Sequence, residues 1–224
     1  MKGIGVVNFG DPDVLEIVEL PEVHAAQDEV RIRVHAATVN PTDTMLRNGS
    51  RAEALKKDPP PYIPGMDIAG VIDEIGPNTT SELSVGDQVM AMVVPVRDHG
   101  AYRESIVLQT DSVVKIPQGS TLIEASTLPM NGLTARLSLD ELALQPGQTL
   151  AVTGAAGCYG GYVVQLAKAE GLRVIADSSE ADQQLVYDLG ADVVVPRGDD
   201  ISEQIRKVLP EGVDGLADGA VQRE

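Results

Sequence analysis

A nine-residue glycine-rich segment, Thr153–Gly161, narrows the possible folds of this chain more than any other part of the sequence. It follows an apolar run, Thr149–Thr153, and precedes a helical pattern from Gly161 to Glu170. Glycines let a backbone approach a diphosphate closely, and the N-terminus of the helix attracts its negative charge. This order predicts a dinucleotide site, although the glycines could also serve only close packing. The predicted cofactor-binding residues of the loop are Gly154, Ala155, Ala156, Gly157, Cys158, Tyr159 and Gly160.

The rest of this half alternates strands with helices. We predict strands at Arg173–Asp177, Val193–Val195 and Val213–Ala217, and a helix at Ser202–Leu209. Short loops between such elements are typical of a doubly wound parallel sheet with crossover helices. A complete dinucleotide-binding domain of this kind has about six strands. We therefore expect a truncated form, with the C-terminal part of the domain outside these 224 residues.

Asp177 is the predicted partner of the cofactor's ribose. It lies at the end of the second predicted strand, 17 positions after Gly160, close to the spacing of a carboxylate that binds ribose hydroxyls. Such a carboxylate repels a 2′-phosphate and favours NADH, and Ser178–Gln183 contains no Lys or Arg to bind one. Ser178 and Ser179 complete the predicted site. Alternatively, Asp177 caps the following helix, for which Ser179 and Asp182 predict a capping box.

The first half of the chain is β-rich. Val30–Ala36 alternates apolar and polar residues, as a half-buried strand does, and turn-forming clusters separate further short apolar runs. This pattern predicts a compact barrel or sandwich over residues 1–122, followed by the α/β domain over residues 123–224. The other predicted strands are Val71–Ile75, Val89–Met92, Ile106–Leu108 and Val113–Ile116.

Charge and cysteine content exclude several classes of partner and site. The net charge of −17 argues against nucleic acid and membrane partners. The single cysteine, Cys158, cannot form an internal disulfide or a multi-cysteine zinc site. It lies near a helix N-terminus, where a thiol can be reactive, but a small packing residue is the alternative. The N-terminus has no apolar stretch typical of a signal peptide, so we expect a cytoplasmic protein.

Several ordered blocks of this sequence resemble the medium-chain dehydrogenase/reductase superfamily, in its zinc-less quinone oxidoreductase (zeta-crystallin-like) branch. The resemblance runs collinearly from about residue 3 to residue 218. It implies a GroES-like β-barrel domain followed by a Rossmann domain, in a homodimer. The blocks are Val39–Asp43, Pro64–Gly70, Val85–Val89, Gly100–Glu104, Leu128–Ala135, the glycine loop, Gln165–Lys168 and Leu189–Asp192.

The same resemblance bears on metal binding. Zinc-dependent relatives carry a Cys where Asn40-Pro41 lies, a His-Glu pair where Met66-Asp67 lies, and a four-cysteine lobe that has no counterpart here. The histidines His24, His35 and His99 are scattered along the sequence and have no neighbouring ligands at metal-binding spacing. We therefore predict no metal.

By resemblance, Asn40 and Asp43 lie at the substrate and nicotinamide end of the site, and Thr134 approaches the cofactor. These are the predicted catalytic residues, although Asn40 and Asp43 could equally form a turn before a helix. Met45 stands where many relatives have a Tyr, which leaves the proton donor open. Tyr159 replaces a small aliphatic residue and could crowd the diphosphate or stack near the nicotinamide.

The function that this resemblance implies is hydride transfer from a nicotinamide cofactor to a quinone or an α,β-unsaturated carbonyl. The family favours NADPH, whereas Asp177 favours NADH. Two alternatives stay open: an enzyme of the alcohol dehydrogenase type, and a non-catalytic protein that binds nicotinamide nucleotides.

Overall fold

The β-rich and α/β halves predicted from the sequence correspond to two units of the structure, Met1–Met130 and Asn131–Glu224. The structure is a computed structural model that describes residues 1–50, 52–55, 59–96 and 99–220. The division between the units falls later than the predicted boundary at residues 122/123. The reason is that the helix Leu122–Ser126 packs against strands of the first unit.

The first unit is built mainly from antiparallel strands. Five of the strands given below form one antiparallel sheet in the order β6-β3-β4-β5-β7, and β1 pairs with β2. The strands are β1 (Lys2–Val6), β2 (Leu15–Glu19), β3 (Glu29–Ala37), β4 (Asp67–Ile75), β5 (Gln88–Met92), β6 (Ser105–Gln109) and β7 (Val113–Lys115); the helices are α1 (Pro41–Arg47), α2 (Ala52–Leu55) and α3 (Leu122–Ser126).

The predicted alternation on β3 is confirmed. Val30 and Ile32 are fully buried and pack in the core of this unit with Ile68 and Ile106, because successive strand residues face opposite sides of a sheet. Gly70 on β4 is required where the register between the two strands shifts. A Cβ atom on Gly70 would lie 2.2 Å from the carbonyl oxygen of Arg33.

The second unit contains the predicted parallel sheet, with strands in the order β10-β9-β8-β11. Helix α4 (Pro129–Leu142) leads into it from the end of the first unit. The elements that follow are β8 (Thr149–Thr153), α5 (Cys158–Ala169), β9 (Arg173–Ser178), α6 (Gln183–Asp188), β10 (Val193–Pro196), α7 (Ile201–Val208) and β11 (Gly215–Asp218).

The predicted elements of this unit are present, but β11 begins at Gly215 rather than at Val213, and two further corrections are needed. Helix α5 begins at Cys158, inside the glycine-rich segment, rather than at Gly161, so Gly160 is a helical residue. The predicted capping box is wrong: the Ser179 hydroxyl donates to the carboxylate of Asp182 (2.7 Å) and makes no capping bond to the backbone. A short 3-10 turn, Glu180–Asp182, comes before α6 instead.

Strand β8 lies where the sequence predicts an apolar strand. All five of its residues are buried, which is typical of a parallel strand covered by helices on both faces. Because its neighbours β9 and β11 run parallel to it, their carboxyl ends lie at the same edge as the glycine loop, where ligands of such sheets bind. In the part of the chain that the structure describes, no helix has the length and apolar character needed to cross a membrane.

Candidate functional site

A cavity of about 970 Å³ opens at the carboxyl edge of the parallel sheet. Its walls come from the glycine loop and from the residues that end or follow β9, β10 and β11. This is the edge where doubly wound sheets bind their ligands. The lining residues are Thr153, Gly154, Ala156, Gly157, Asp177, Asp182, Arg197, Gly198, Asp199, Ile201, Leu216, Asp218, Gly219 and Ala220.

Two of the three predicted glycines in the glycine loop have no room for a side chain. Gly154 has φ of +65°, and a Cβ atom there would lie 2.7 Å from the carbonyl of Gly219. A Cβ atom on Gly160 would lie 2.3 Å from the carbonyl oxygen of Gly154. Both glycines therefore serve close packing of the loop, which was the alternative interpretation.

Packing constrains Gly157 less than the other two glycines. A Cβ atom there would have one neighbour within 4 Å, the oxygen of Gly154 at 3.2 Å, and Gly157 itself lines the cavity. Gly157 is also the residue before α5, so the N-terminus of this helix lies at the cavity wall. A bare backbone at a helix N-terminus suits the diphosphate of a dinucleotide.

Not every predicted loop residue reaches the cavity. Gly154, Ala156, Gly157 and Asp177 line it, whereas the other predicted cofactor-binding residues are not among its lining residues. Ala155 is fully buried, Gly160 is buried, Ser178 is 1% exposed, Ser179 is half-buried and Cys158 is exposed.

Sequence reasoning missed the residues that the ends of β10 and β11 contribute. Arg197 follows β10 directly and Asp218 ends β11, and both line the cavity. The signal for them was present, because each lies at the carboxyl end of a predicted strand, where parallel sheets place their ligand-binding side chains.

The carboxylate of Asp177 faces the glycine loop. Its Oδ1 atom accepts a hydrogen bond from the backbone N–H of Ala155 at 3.3 Å, and its Oδ2 atom lies 3.4 Å from Nε of Arg197. These contacts favour a position beside the glycine loop over the alternative in which Asp177 caps the following helix.

Asp218 adds a second carboxylate to the same cavity. The Thr153 hydroxyl donates to it, and so does the backbone N–H of Ala220 at 3.1 Å. These hydrogen bonds, that from Thr153 first, lower the pKa of Asp218. Asp218 is therefore ionised at neutral pH and adds to the negative potential of the cavity.

The side chains of Cys158 and Tyr159 have different environments. The Tyr159 ring packs against Gly219, since a Cβ atom on that glycine would lie 2.9 Å from the ring. The Tyr159 hydroxyl donates to Ser138 on α4 at 2.8 Å. The ring is thus held by α4 and the end of β11. Cys158 is exposed at the start of α5, so its interpretation as a packing residue is wrong.

In the first unit, Asp43 is a buried acceptor that organises the start of α1. Its Oδ2 atom accepts from the backbone N–H of Asn40 (2.7 Å) and from the Tyr102 hydroxyl (3.2 Å), and its Oδ1 atom accepts from the N–H of Gly65 (2.8 Å). The turn interpretation of Asn40 and Asp43 is therefore confirmed. Their catalytic role stays a prediction.

Asp67 orients Asn40 and is a residue that sequence reasoning did not select. It is fully buried and accepts from Asn40 Nδ2 (2.6 Å), the Thr38 hydroxyl (2.7 Å) and the backbone N–H of Met130 (2.6 Å). An acidic residue at the start of the apolar run Asp67–Gly70 was the available signal. The third predicted catalytic residue, Thr134, is exposed on α4 in the second unit.

Tyr102, whose hydroxyl donates to Asp43, makes the folding stability of the first unit depend on pH. Burial raises the pKa of its phenol, and the nearby carboxylate of Asp43 raises it further. The folded state therefore holds the phenolic proton more tightly than the unfolded chain does. This contribution to stability is complete below about pH 10, the ordinary tyrosine range, and is lost as the pH rises through the folded-state value.

We expect Tyr102→Phe to flatten the alkaline part of the stability profile. Denaturant unfolding of both proteins from pH 8 to pH 11 should show that the wild-type chain loses more free energy of unfolding than the variant does. Equal slopes for the two proteins would contradict the assignment of this proton to Tyr102.

No metal centre is evident in residues 1–50, 52–55, 59–96 and 99–220: they contain no group of three or more His, Cys, Asp or Glu residues placed to hold an ion.

Comparison with known proteins adds an independent line of evidence. The family model described as the alcohol dehydrogenase GroES-like domain matches residues 26–118. The quinone oxidoreductase of Mus musculus is 34% identical over 200 residues, covering 85% of this chain and 56% of the relative. The 2-methylene-furan-3-one reductase of Solanum lycopersicum is 30% identical over 235 residues, covering 100% of this chain and 58% of the relative. The chain thus spans less than two thirds of the length of these relatives.

Solved structures agree with the sequence comparison. The quinone oxidoreductase from Coxiella burnetii superposes with a TM-score of 0.83 at 30% identity, covering 97% of this chain and 68% of that one. A mycobacterial protein solved in complex with NADPH gives a TM-score of 0.80 at 30% identity, covering 96% of this chain and 66% of that one. The predicted combination of a GroES-like domain and a Rossmann-type parallel sheet is confirmed.

Proposed function

From the premise that this chain belongs to the quinone oxidoreductase branch of the medium-chain dehydrogenase/reductase superfamily, we propose that it is an NAD(P)H-dependent reductase of quinones or α,β-unsaturated carbonyls. The observation that carries the proposal is the cavity at the glycine loop, where bare backbone and the N-terminus of α5 lie beside the buried carboxylate of Asp177. A nicotinamide cofactor fits this donor set, because a diphosphate suits the helix N-terminus and a ribose hydroxyl can donate to Asp177.

In this proposal the residues of the chain bind the cofactor and position it relative to the substrate. Ala156 and Gly157 present backbone to the diphosphate, and Asp177 holds the adenosine ribose. When bound, the reduced nicotinamide supplies a hydride. Either acceptor takes up one hydride and one proton, and both have an electrophilic carbon conjugated to a carbonyl. We assign to Asn40, whose amide is oriented by Asp67, a role in contacting the substrate.

Zinc independence is part of the proposal. Zinc-dependent relatives carry a Cys where Asn40-Pro41 lies and a His-Glu pair where Met66-Asp67 lies, and here the side chains of Asn40 and Asp67 are hydrogen-bonded to each other. Asp67 also accepts from Thr38 and from the backbone of Met130, so its oxygens are occupied by donors. A requirement for stoichiometric zinc in the purified active protein would contradict this part.

The test is an assay of cofactor oxidation by the purified protein, followed at 340 nm with a panel of simple quinones and enones. We expect oxidation of NADH or NADPH that depends on the acceptor. Cofactor binding without turnover across the whole panel would instead favour the non-catalytic alternative. The features that motivate this alternative are Met45, which replaces a family Tyr, and the unusual glycine loop. The homodimer and the cytoplasmic location stay predictions.

A further inference from the structure

Tyr159 fills the space between the cavity wall at Gly219 and helix α4. Its ring extends from the first turn of α5 to Gly219, where an added Cβ atom would lie 2.9 Å from Cδ1 and 3.4 Å from Cε1 of the ring. Its hydroxyl donates to Ser138 on α4 at 2.8 Å. Gly157 and Gly219 line the cavity, whereas Tyr159 and Ser138 are not among its lining residues. The cavity therefore ends at Gly219, and the ring occupies the space behind it.

The two neighbours of the ring are held by hydrogen bonds of their own. The backbone N–H of Gly219 donates to the carbonyl oxygen of Thr153 at 3.0 Å, which fixes the end of β11 against the end of β8. The Ser138 hydroxyl donates to the carbonyl oxygen of Thr134 at 2.8 Å, one turn earlier on α4. The Tyr159 ring is half-buried and can change its rotamer, so it is the movable part of this wall.

The strand order decides which end of a dinucleotide meets this ring. In a doubly wound sheet the two nucleotides lie on opposite sides of the point where the strand order reverses. That point is at β8, with β9 and β10 on one side and β11 on the other. With the adenosine ribose at Asp177 on β9, the nicotinamide half extends towards β11. Gly219 directly follows β11, and the Tyr159 ring packs against it.

We propose that Tyr159 is a specificity-determining gate, a side chain that closes the nicotinamide end of this cavity. An adenosine diphosphate group binds at the glycine loop without displacing the ring, whereas a complete dinucleotide binds only after the ring has left Gly219 and Ser138. Opening the gate breaks one hydrogen bond and removes the packing of the ring. A small aliphatic residue, usual at this position in similar proteins, cannot make that hydrogen bond. The inference rests on the proposed function, in that it requires a nicotinamide dinucleotide in this cavity.

The test compares the dissociation constants of NADH, NADPH and ADP, measured by calorimetry without turnover. ADP ends at the diphosphate and does not reach the gate, so it serves as the reference ligand. Tyr159→Val should raise the affinity for the dinucleotides at least about tenfold, or about 1.4 kcal/mol, and leave the affinity for ADP within about twofold of the wild-type value.

Two smaller changes isolate the hydrogen bond. Tyr159→Phe and Ser138→Ala each keep the ring but remove the contact between the two hydroxyl groups, and each should raise dinucleotide affinity about fivefold, the net effect of one hydrogen bond. The double variant should gain no more than either single variant, because both remove the same contact. Tyr187→Phe, which removes the hydroxyl of an exposed tyrosine on α6 outside the cavity, is the matched control and should change no affinity.

Three results overturn the proposal. The first is an unchanged ratio of dinucleotide to ADP affinity in Tyr159→Val. The second is a loss of dinucleotide affinity with ADP binding unchanged, because the ring would then support the nicotinamide instead of excluding it. The third is an equal change for ADP and the dinucleotides, which would report on the packing of the loop. Thermal unfolding is the folding control, and if Tyr159→Val does not fold, the absence of a gain in both Tyr159→Phe and Ser138→Ala overturns the proposal.

These outcomes are distinct from failure of the proposed function. If Tyr159→Val gains dinucleotide affinity but no acceptor supports turnover by it or by the wild-type chain, the gate stands and the reductase activity is contradicted. If turnover is observed and the affinity ratio is the same in every variant, the reverse holds. If neither the folded wild-type chain nor Tyr159→Val binds any of the three nucleotides, both proposals fall.

Discussion

Gly160→Ala is expected to lower the free energy of unfolding by about 3 kcal/mol and to weaken nucleotide binding at least 100-fold, or about 2.7 kcal/mol. The new Cβ atom would lie 2.3 Å from the oxygen of Gly154 and 2.8 Å from Cα of Ala155. Both neighbours are backbone atoms, so the clash moves the loop rather than a side chain. Since the same loop forms the wall of the cavity, stability and nucleotide binding should fall together.

Gly161→Ala is the matched control in the next position of the same helix. Its Cβ atom would meet the end of the Leu189 side chain at 3.3 Å, which can shift, and alanine favours a helix over glycine by about 1 kcal/mol. We expect stability within about 1 kcal/mol of the wild-type value and nearly unchanged nucleotide affinity. Urea unfolding and titration of NADH fluorescence measure both quantities. Wild-type binding by the Gly160 variant would refute the described loop packing.

Asp43→Ala should destabilise the first unit by about 3 kcal/mol or more, because it leaves buried donors without acceptors. The carboxylate of Asp43 accepts from the backbone N–H groups of Asn40 and Gly65 and from the Tyr102 hydroxyl. Charge-assisted hydrogen bonds of this kind are stronger than neutral ones. Denaturant unfolding of the variant measures the loss directly.

Thr44→Ala, an exposed change on the same helix, is the control and should stay within about 0.5 kcal/mol of the wild-type stability. The experiment also separates the two roles considered for Asp43. If the variant keeps its stability but loses turnover with unchanged cofactor binding, Asp43 acts in catalysis and its structural role is smaller than the hydrogen bonds indicate. If stability falls as expected, activity must be compared on the folded fraction, with Asp43→Asn as the conservative replacement.

Hydrophobic periodicity and turn-forming residues were sufficient to predict most of the secondary structure. The largely apolar run Thr149–Thr153 is β8 with the same bounds, and the alternation at Val30–Ala36 lies within β3. Both signals are local, because burial on one or two faces imposes a repeat on the sequence itself. The ends of elements were less accurate: α5 begins earlier than predicted because the helix starts directly after Gly157, inside the glycine-rich segment.

Side-chain partners were harder to foresee than elements. Ser179 and Asp182 have the spacing of a capping box, yet the serine hydroxyl donates to the carboxylate itself. Spacing restricts which groups can meet, but the local backbone conformation decides which hydrogen bond forms. The same holds for Tyr159, whose ring contacts Gly219 and whose hydroxyl donates to Ser138 on α4, partners far from it in sequence.

The sequence by itself determined the two-part architecture, the parallel sheet and the glycine loop, because hydrophobic period and glycine spacing are properties of neighbouring residues. Only the tertiary structure placed Arg197 against Asp177 and Asp67 against Asn40. Each of these contacts joins residues that are distant along the chain and come together only when separate strands align. For that reason the cofactor class could be predicted from the loop, whereas these side-chain contacts required the fold.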